Sequence, residues 1–141
     1  MKNYFAFFAV IITLAFAPNI MAQENEPVQV QIVQSKVILT LNEETHDFGT
    51  IPEGPNAACE FEVKNTGTEP LVIYSVTASC GCTVPTYSKE PVMPGQTTKI
   101  KVLYRTIGRL GPFTKSVNIS SNASNGESKI IYIKGTVQNK Q

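Results

Sequence analysis

An all-β domain, an immunoglobulin-like β-sandwich of about seven antiparallel strands, is what three observations predict. From Lys36 onward apolar residues recur mostly with period two. No segment carries a convincing helical stripe. Turn residues punctuate the chain every ten or so positions. A small barrel is the structural competitor, because periodicity alone does not distinguish a closed sheet from two packed ones.

The elements follow in order. "KVILTLN" leads into "THDFGTI", where Phe48 is apolar and Gly49 permits a bend or bulge. "ACEFEVKN" alternates cleanly, with Cys59, Phe61 and Val63 on one face and Glu60, Glu62 and Lys64 on a solvated one. The turn "NTGTEP" precedes "LVIYSVTA". In "MPGQ", Pro94 fixes φ and Gly95 accepts a positive φ, as a type II turn requires. "TTKIKVLYRT" then sets Thr98, Ile100, Val102 and Tyr104 inward, opposite Lys99, Lys101, Leu103 and Arg105. "FTKSVNISS" and "KIIYIKGTV" complete the set, joined across Asn125-Gly126, the strongest short hairpin pattern in the chain. In "FGTIPEG", the glycines and Pro52 predict a corner or a crossing between sheets.

The chain has 141 residues, a length that suits one domain, with a formal net charge of +1. Its charges are interspersed, so no basic patch recruits nucleic acid. Residues 1–22 have the layout of a secretory signal peptide: Lys2, an apolar run from Tyr4 to Phe16, Pro18, and a small residue at Ala22. The competing reading is an uncleaved anchor helix, for which the apolar run is short. No cysteine near this boundary offers a lipid attachment point. Cleavage after Ala22 leaves a leader over residues 23–36, either flexible or adding an edge strand, and a domain over 37–141 with no membrane span. The mature chain, about 119 residues long, is large enough to bury a sufficient core without cross-links.

Chemistry concentrates at three cysteines: Cys59, and Cys80 and Cys82 in "VTASCGCTVP". If "SCGC" is extended, Cys80 and Cys82 share a face near the upper distance limit for a bond, and Gly81 lets the backbone contract. Cys59 begins one strand and Cys80 ends the next, which sets both at one end of an antiparallel pair. A bond from Cys59 to Cys80 or Cys82 would close a loop of about twenty residues, worth about 3 kcal/mol. The residues thus predict one disulfide and one leftover thiol, with the pairing open. A second reading has Cys80, Cys82 and Cys59 presenting thiolates to Cu(I). Structural zinc wants four ligands, and His46 is the single histidine. A third reading is thiol redox chemistry, which lacks a following helix to favour a thiolate: "TVPTYSKEPVMPG" contains breakers instead. Hydrolysis has less support still, since His46 and Asp47, adjacent on a strand, face opposite ways. Asn118 and Asn122 match the glycosylation pattern, a short motif that carries little weight by itself.

"HDFGTIPEG", "FEVKNTGTEPLVI", "SCGCTVP", "MPGQTTKIKVLY", "GPFTKSVNISSN" and "IYIKGTV" occur in that order. As a set, covering His46 to Val137, they resemble the domain-of-unknown-function 1573 family of exported bacterial proteins, with an immunoglobulin-like fold related to ASH and MSP-type domains. The resemblance implies an exported location, periplasmic or extracellular, and a binding or scaffolding role rather than an enzymatic one. No cofactor is expected. The partner is an unidentified protein or envelope component, met by loops at one end or by strand addition at an edge. Pro52, Glu53, Gly54, Gly81 and Thr83 are the expected partner-facing residues, because both their segments carry irregular backbone at a strand terminus.

Overall fold

The computed structural model describes residues 34–140. The signal-like segment and nearly all of the leader lie outside them. Eight strands form, β1 (Leu39–Leu41), β2 (Thr45–Pro52), β3 (Ala57–Asn65), β4 (Ile73–Ala78), β5 (Thr83–Tyr87), β6 (Thr97–Tyr104), β7 (Gly111–Ser121) and β8 (Ser128–Gln138). They build two four-stranded sheets, ordered β1-β3-β6-β5 and β2-β8-β7-β4. No helix among the described residues is long and apolar enough to cross a membrane.

The period-two patterns become the two inner faces. Phe61 and Val63 on β3 and Ile100, Val102 and Tyr104 on β6 meet Val117, Ile119, Ile131 and Ile133 from the other sheet, all fully buried or nearly so. Their polar neighbours face water, where Lys99 bonds Glu60 at 2.9 Å and holds its carboxyl below the usual range. Near one end of the core the rings of Tyr104 and Phe113 stack across the sheets, with centroids 4.0 Å apart.

The structure departs from the expected seven antiparallel strands at two places. The eighth strand is β5, which Pro85 hides, since proline inside a run argues against a central strand. β5 is an edge. The Arg105 N–H donates to the Cys82 carbonyl, so Cys82, Val84 and Thr86 turn their polar groups to β6 and leave Pro85 facing outward, where no donor is needed. The other departure is that β2 pairs parallel with β8. Alternation is the same for either direction, so the pattern does not reveal it. A register shift between Asp47 and Thr50 contains Gly49, whose φ of 64° supplies the bulge.

The remaining edges are blunted too. β1 has 3 residues, β2 carries the bulge, and β4 is irregular between Ile73 and Ser75.

Candidate functional site at the disulfide end

Three connections meet at one end of the sandwich: residues 53–56 between β2 and β3, 79–82 between β4 and β5, and 105–110 between β6 and β7. All three carry the chain from one sheet to the other, and for the first this is the crossing that the glycines and Pro52 of "FGTIPEG" predict.

The "SCGC" segment is a turn, not an extended strand. The Thr83 N–H donates to the Cys80 carbonyl at 3.2 Å, and the Cα atoms of Cys80 and Cys82 lie 5.3 Å apart, joined by a disulfide. Gly81 contributes neither a positive φ nor a close approach, because a Cβ there meets open space. The turn contracts through its hydrogen bond instead.

Cys59 is free and buried. It does lie toward the same end as the pair, since Ala57 and Thr83 both register with Tyr104. It does so from across β6: β3 and β4 belong to different sheets, and β6 runs between β3 and β5. Two strand spacings of about 4.8 Å separate the strands bearing Cys59 and Thr83, beyond the about 7 Å that a disulfide spans. The same separation keeps the three sulfurs from forming one ligand set. Burial, reinforced by the Glu43 carboxylate, pushes the Cys59 thiol up to about 11. His46 is engaged elsewhere, with Nδ1 3.1 Å from Glu43 and its ring edge-on to Phe48.

The expected partner-facing residues gather here, though not all at the surface. Pro52 and Gly54 are exposed, Glu53 is half-buried, Gly81 is exposed, and Thr83 is buried. Glu53 turns out to be a brace: its Oε1 accepts the Gly108 N–H at 2.7 Å. Thr106, fully buried, donates to the Pro55 carbonyl at 2.9 Å and accepts the Gly54 N–H at 3.0 Å. Within 105–110, the Arg109 N–H bonds the Thr106 carbonyl around Gly108, whose φ is 70°.

What this bracing presents was missed in the sequence. Ile107 is 70% exposed and Leu110 54% exposed, with Arg105 and Arg109 beside them at the surface. Two large aliphatic residues inside a turn, between strands that already have their apolar faces, were the available signal. Below the loop, a hollow of about 450 Å³ on the outer face of the first sheet is lined by Val84, Leu103, Lys101, Arg105, Asn56 and Thr86. The end therefore offers apolar contact area rimmed by positive charge.

The family model for proteins of unknown function (DUF1573) matches residues 39–137. The chain belongs to this family. Among solved structures it is similar to a protein of unknown function from Porphyromonas gingivalis, at 17% identity over 78% of this chain and 51% of that one, with a TM-score of 0.66. It is also similar to the ASH/PapD-like domain 7 of human CEP192, at 9% identity over 75% and 89% of the two chains, with a TM-score of 0.62. A further likeness is to the Vibrio cholerae VesB protease, at 14% identity, 72% and 32% coverage, and a TM-score of 0.56. The chain thus spans about half of the Porphyromonas protein and a third of the protease. At these identities the likeness is one of fold, and the CEP192 domain supports the immunoglobulin-like sandwich. No curated protein matches the chain.

Proposed function

We propose that the mature chain is an exported, non-enzymatic binding module of the bacterial periplasm or cell surface, which receives a protein partner on its disulfide end. The observation that carries this reading is the exposure of Ile107 and Leu110 on a loop that Glu53 and Thr106 hold in place. Apolar side chains on a braced loop cost little backbone ordering on binding, and their desolvation drives association. The arginine rim and the Lys101 hollow suit a partner surface that combines aliphatic and acidic groups. Strand addition fits less well, since the four sheet edges carry a proline, a bulge, an irregularity or a very short strand. Export is supported by the layout of residues 1–22.

The test uses tagged protein, recovered from its own envelope after cross-linking. The expected result is a specific protein partner that Ile107→Asp with Leu110→Asp abolishes. Ile130→Asp with Tyr132→Asp, on the outer face of the second sheet, should retain it. Retention by the loop pair together with loss by the sheet pair would overturn the reading. The mass of the recovered chain should correspond to a start at Gln23.

A further inference from the structure

The hydroxyl of Thr83 is a buried polar group that partner binding does not explain. Thr83 is 3% exposed, and its Oγ1 lies 3.7 Å from Sγ of Cys80 and 3.8 Å from Sγ of Cys82. Those two sulfurs are its hydrogen-bond partners among the described residues. A disulfide sulfur is a weak acceptor, so a hydroxyl buried against one makes poor use of its donor. A thiolate in the same place would accept a charge-assisted bond, roughly twice as strong as a neutral one. The position therefore suits the reduced state better than the oxidised one.

Two further features make the bond suited to opening. The sulfurs differ in access, Cys80 being half-buried and Cys82 only 2% exposed. The ring spans Gly81 alone, in a crossover outside both sheets, with Cys82 reaching into the core and Cys80 packed at its margin. Opening the ring breaks no strand pairing, since neither cysteine belongs to a ladder, so the two sheets keep their registers in both oxidation states.

We propose that Cys80–Cys82 is a stoichiometric exchange site for aliphatic thiols. The thiolate of an incoming thiol attacks Sγ of Cys80, the only sulfur of the pair with access. The bond between the two cysteines breaks, and its electron pair leaves on Sγ of Cys82, where the Thr83 hydroxyl donates to the new thiolate. The incoming sulfur is now joined to Cys80 as a mixed disulfide. Either the Cys82 thiolate attacks Cys80 and expels the thiol again, or a second thiolate attacks the incoming sulfur and releases Cys80. In the second case two thiols become one disulfide, and two electrons and two protons reside on Cys80 and Cys82. The thiol is a cysteine of a polypeptide or a small solute.

The site is tested on the whole exported protein with two probes, glutathione and a ten-residue peptide carrying one cysteine, followed by acid trapping and mass measurement. Glutathione should open the bond with the circular dichroism of the sandwich unchanged, and the mixed disulfide should map to Cys80. With Cys82→Ser, oxidised glutathione should label Cys80, and labelling of Cys82 in Cys80→Ser should be at least about tenfold slower. Thr83→Val should slow opening by about tenfold, and raise the pH at which the released Cys82 thiol titrates, with Thr83→Ser restoring both. A peptide rate above the glutathione rate identifies a polypeptide source, and the reverse identifies a small thiol. Opening only upon unfolding, equal labelling of both sulfurs, or a Thr83→Val rate equal to the native one would overturn the proposal. The glutathione arm needs no docking surface. Its rate should be indifferent to Ile107→Asp with Leu110→Asp, so its failure is separable from failure of the binding reading.

Discussion

The two ends of the sandwich use their side chains in opposite ways. At the end away from the disulfide, polar side chains are committed to the domain's own backbone. Asn65 is fully buried and donates to the carbonyls of Glu69 and Val92 while accepting from the Gly67 N–H. Asn122 bonds the Val72 N–H and the Pro70 carbonyl, and Asn125 takes both polar groups of Leu39. Gly67 completes the seal, since a Cβ there would stand 2.2 Å from the Lys36 carbonyl oxygen. The disulfide end is also braced internally, by Glu53 and Thr106, yet it leaves Ile107 and Leu110 in water. One end spends its polar side chains on its own backbone, and the other holds two aliphatic side chains out in water.

Substitutions should separate the ends by what they disturb. Asn65→Ala strands buried backbone groups and should cost on the order of 3 kcal/mol in urea unfolding. Next comes Cys59, just inside the disulfide end. Its thiol is raised from an ordinary 9.0 to about 11 by burial, so the folded state holds its proton longer than the unfolded one. Stability from this group is complete below pH 9 and is lost as pH rises through 11, by on the order of 1 to 2 kcal/mol. Urea titrations across that range should show the decline, and Cys59→Ala should flatten it. Reducing the Cys80–Cys82 bond should cost about 1.6 kcal/mol, the loop-entropy value for so small a ring. Ile107→Asp with Leu110→Asp should move stability by no more than about 0.5 kcal/mol. A larger loss there would mean that these side chains pack rather than dock, and would erase the contrast.

What the sequence reveals of this molecule follows from which interactions are local. β3 and β6 are legible because Phe61, Val63, Ile100 and Val102 alternate with charges. The Pro94-Gly95 turn is legible because its chemistry lies within four residues: Gly95 has a φ of 79° and the Gln96 N–H bonds the Met93 carbonyl. Asn125-Gly126 marks the hairpin, since β7 and β8 pair antiparallel across it, but not the shape of its loop. The connection spans residues 122–127, longer than a two-residue loop, and the Asn125 side chain is taken by Leu39, distant in sequence. Asn65 reads as a turn former, but its value lies in three backbone groups that only the folded chain brings together. The separation of Cys59 from Cys80 and Cys82 depends on β6 passing between them, and sheet order is not written in alternation. Ile107 and Leu110 went unmarked because neither residue type announces chemistry.

Pro85, with its nitrogen turned to the open side of β5, has a consequence for life in a crowded compartment. A domain whose flanks offer an incomplete ladder does not polymerise side by side when its local concentration rises or when many copies are tethered together. Neighbours can then be packed densely without fusing into a continuous sheet.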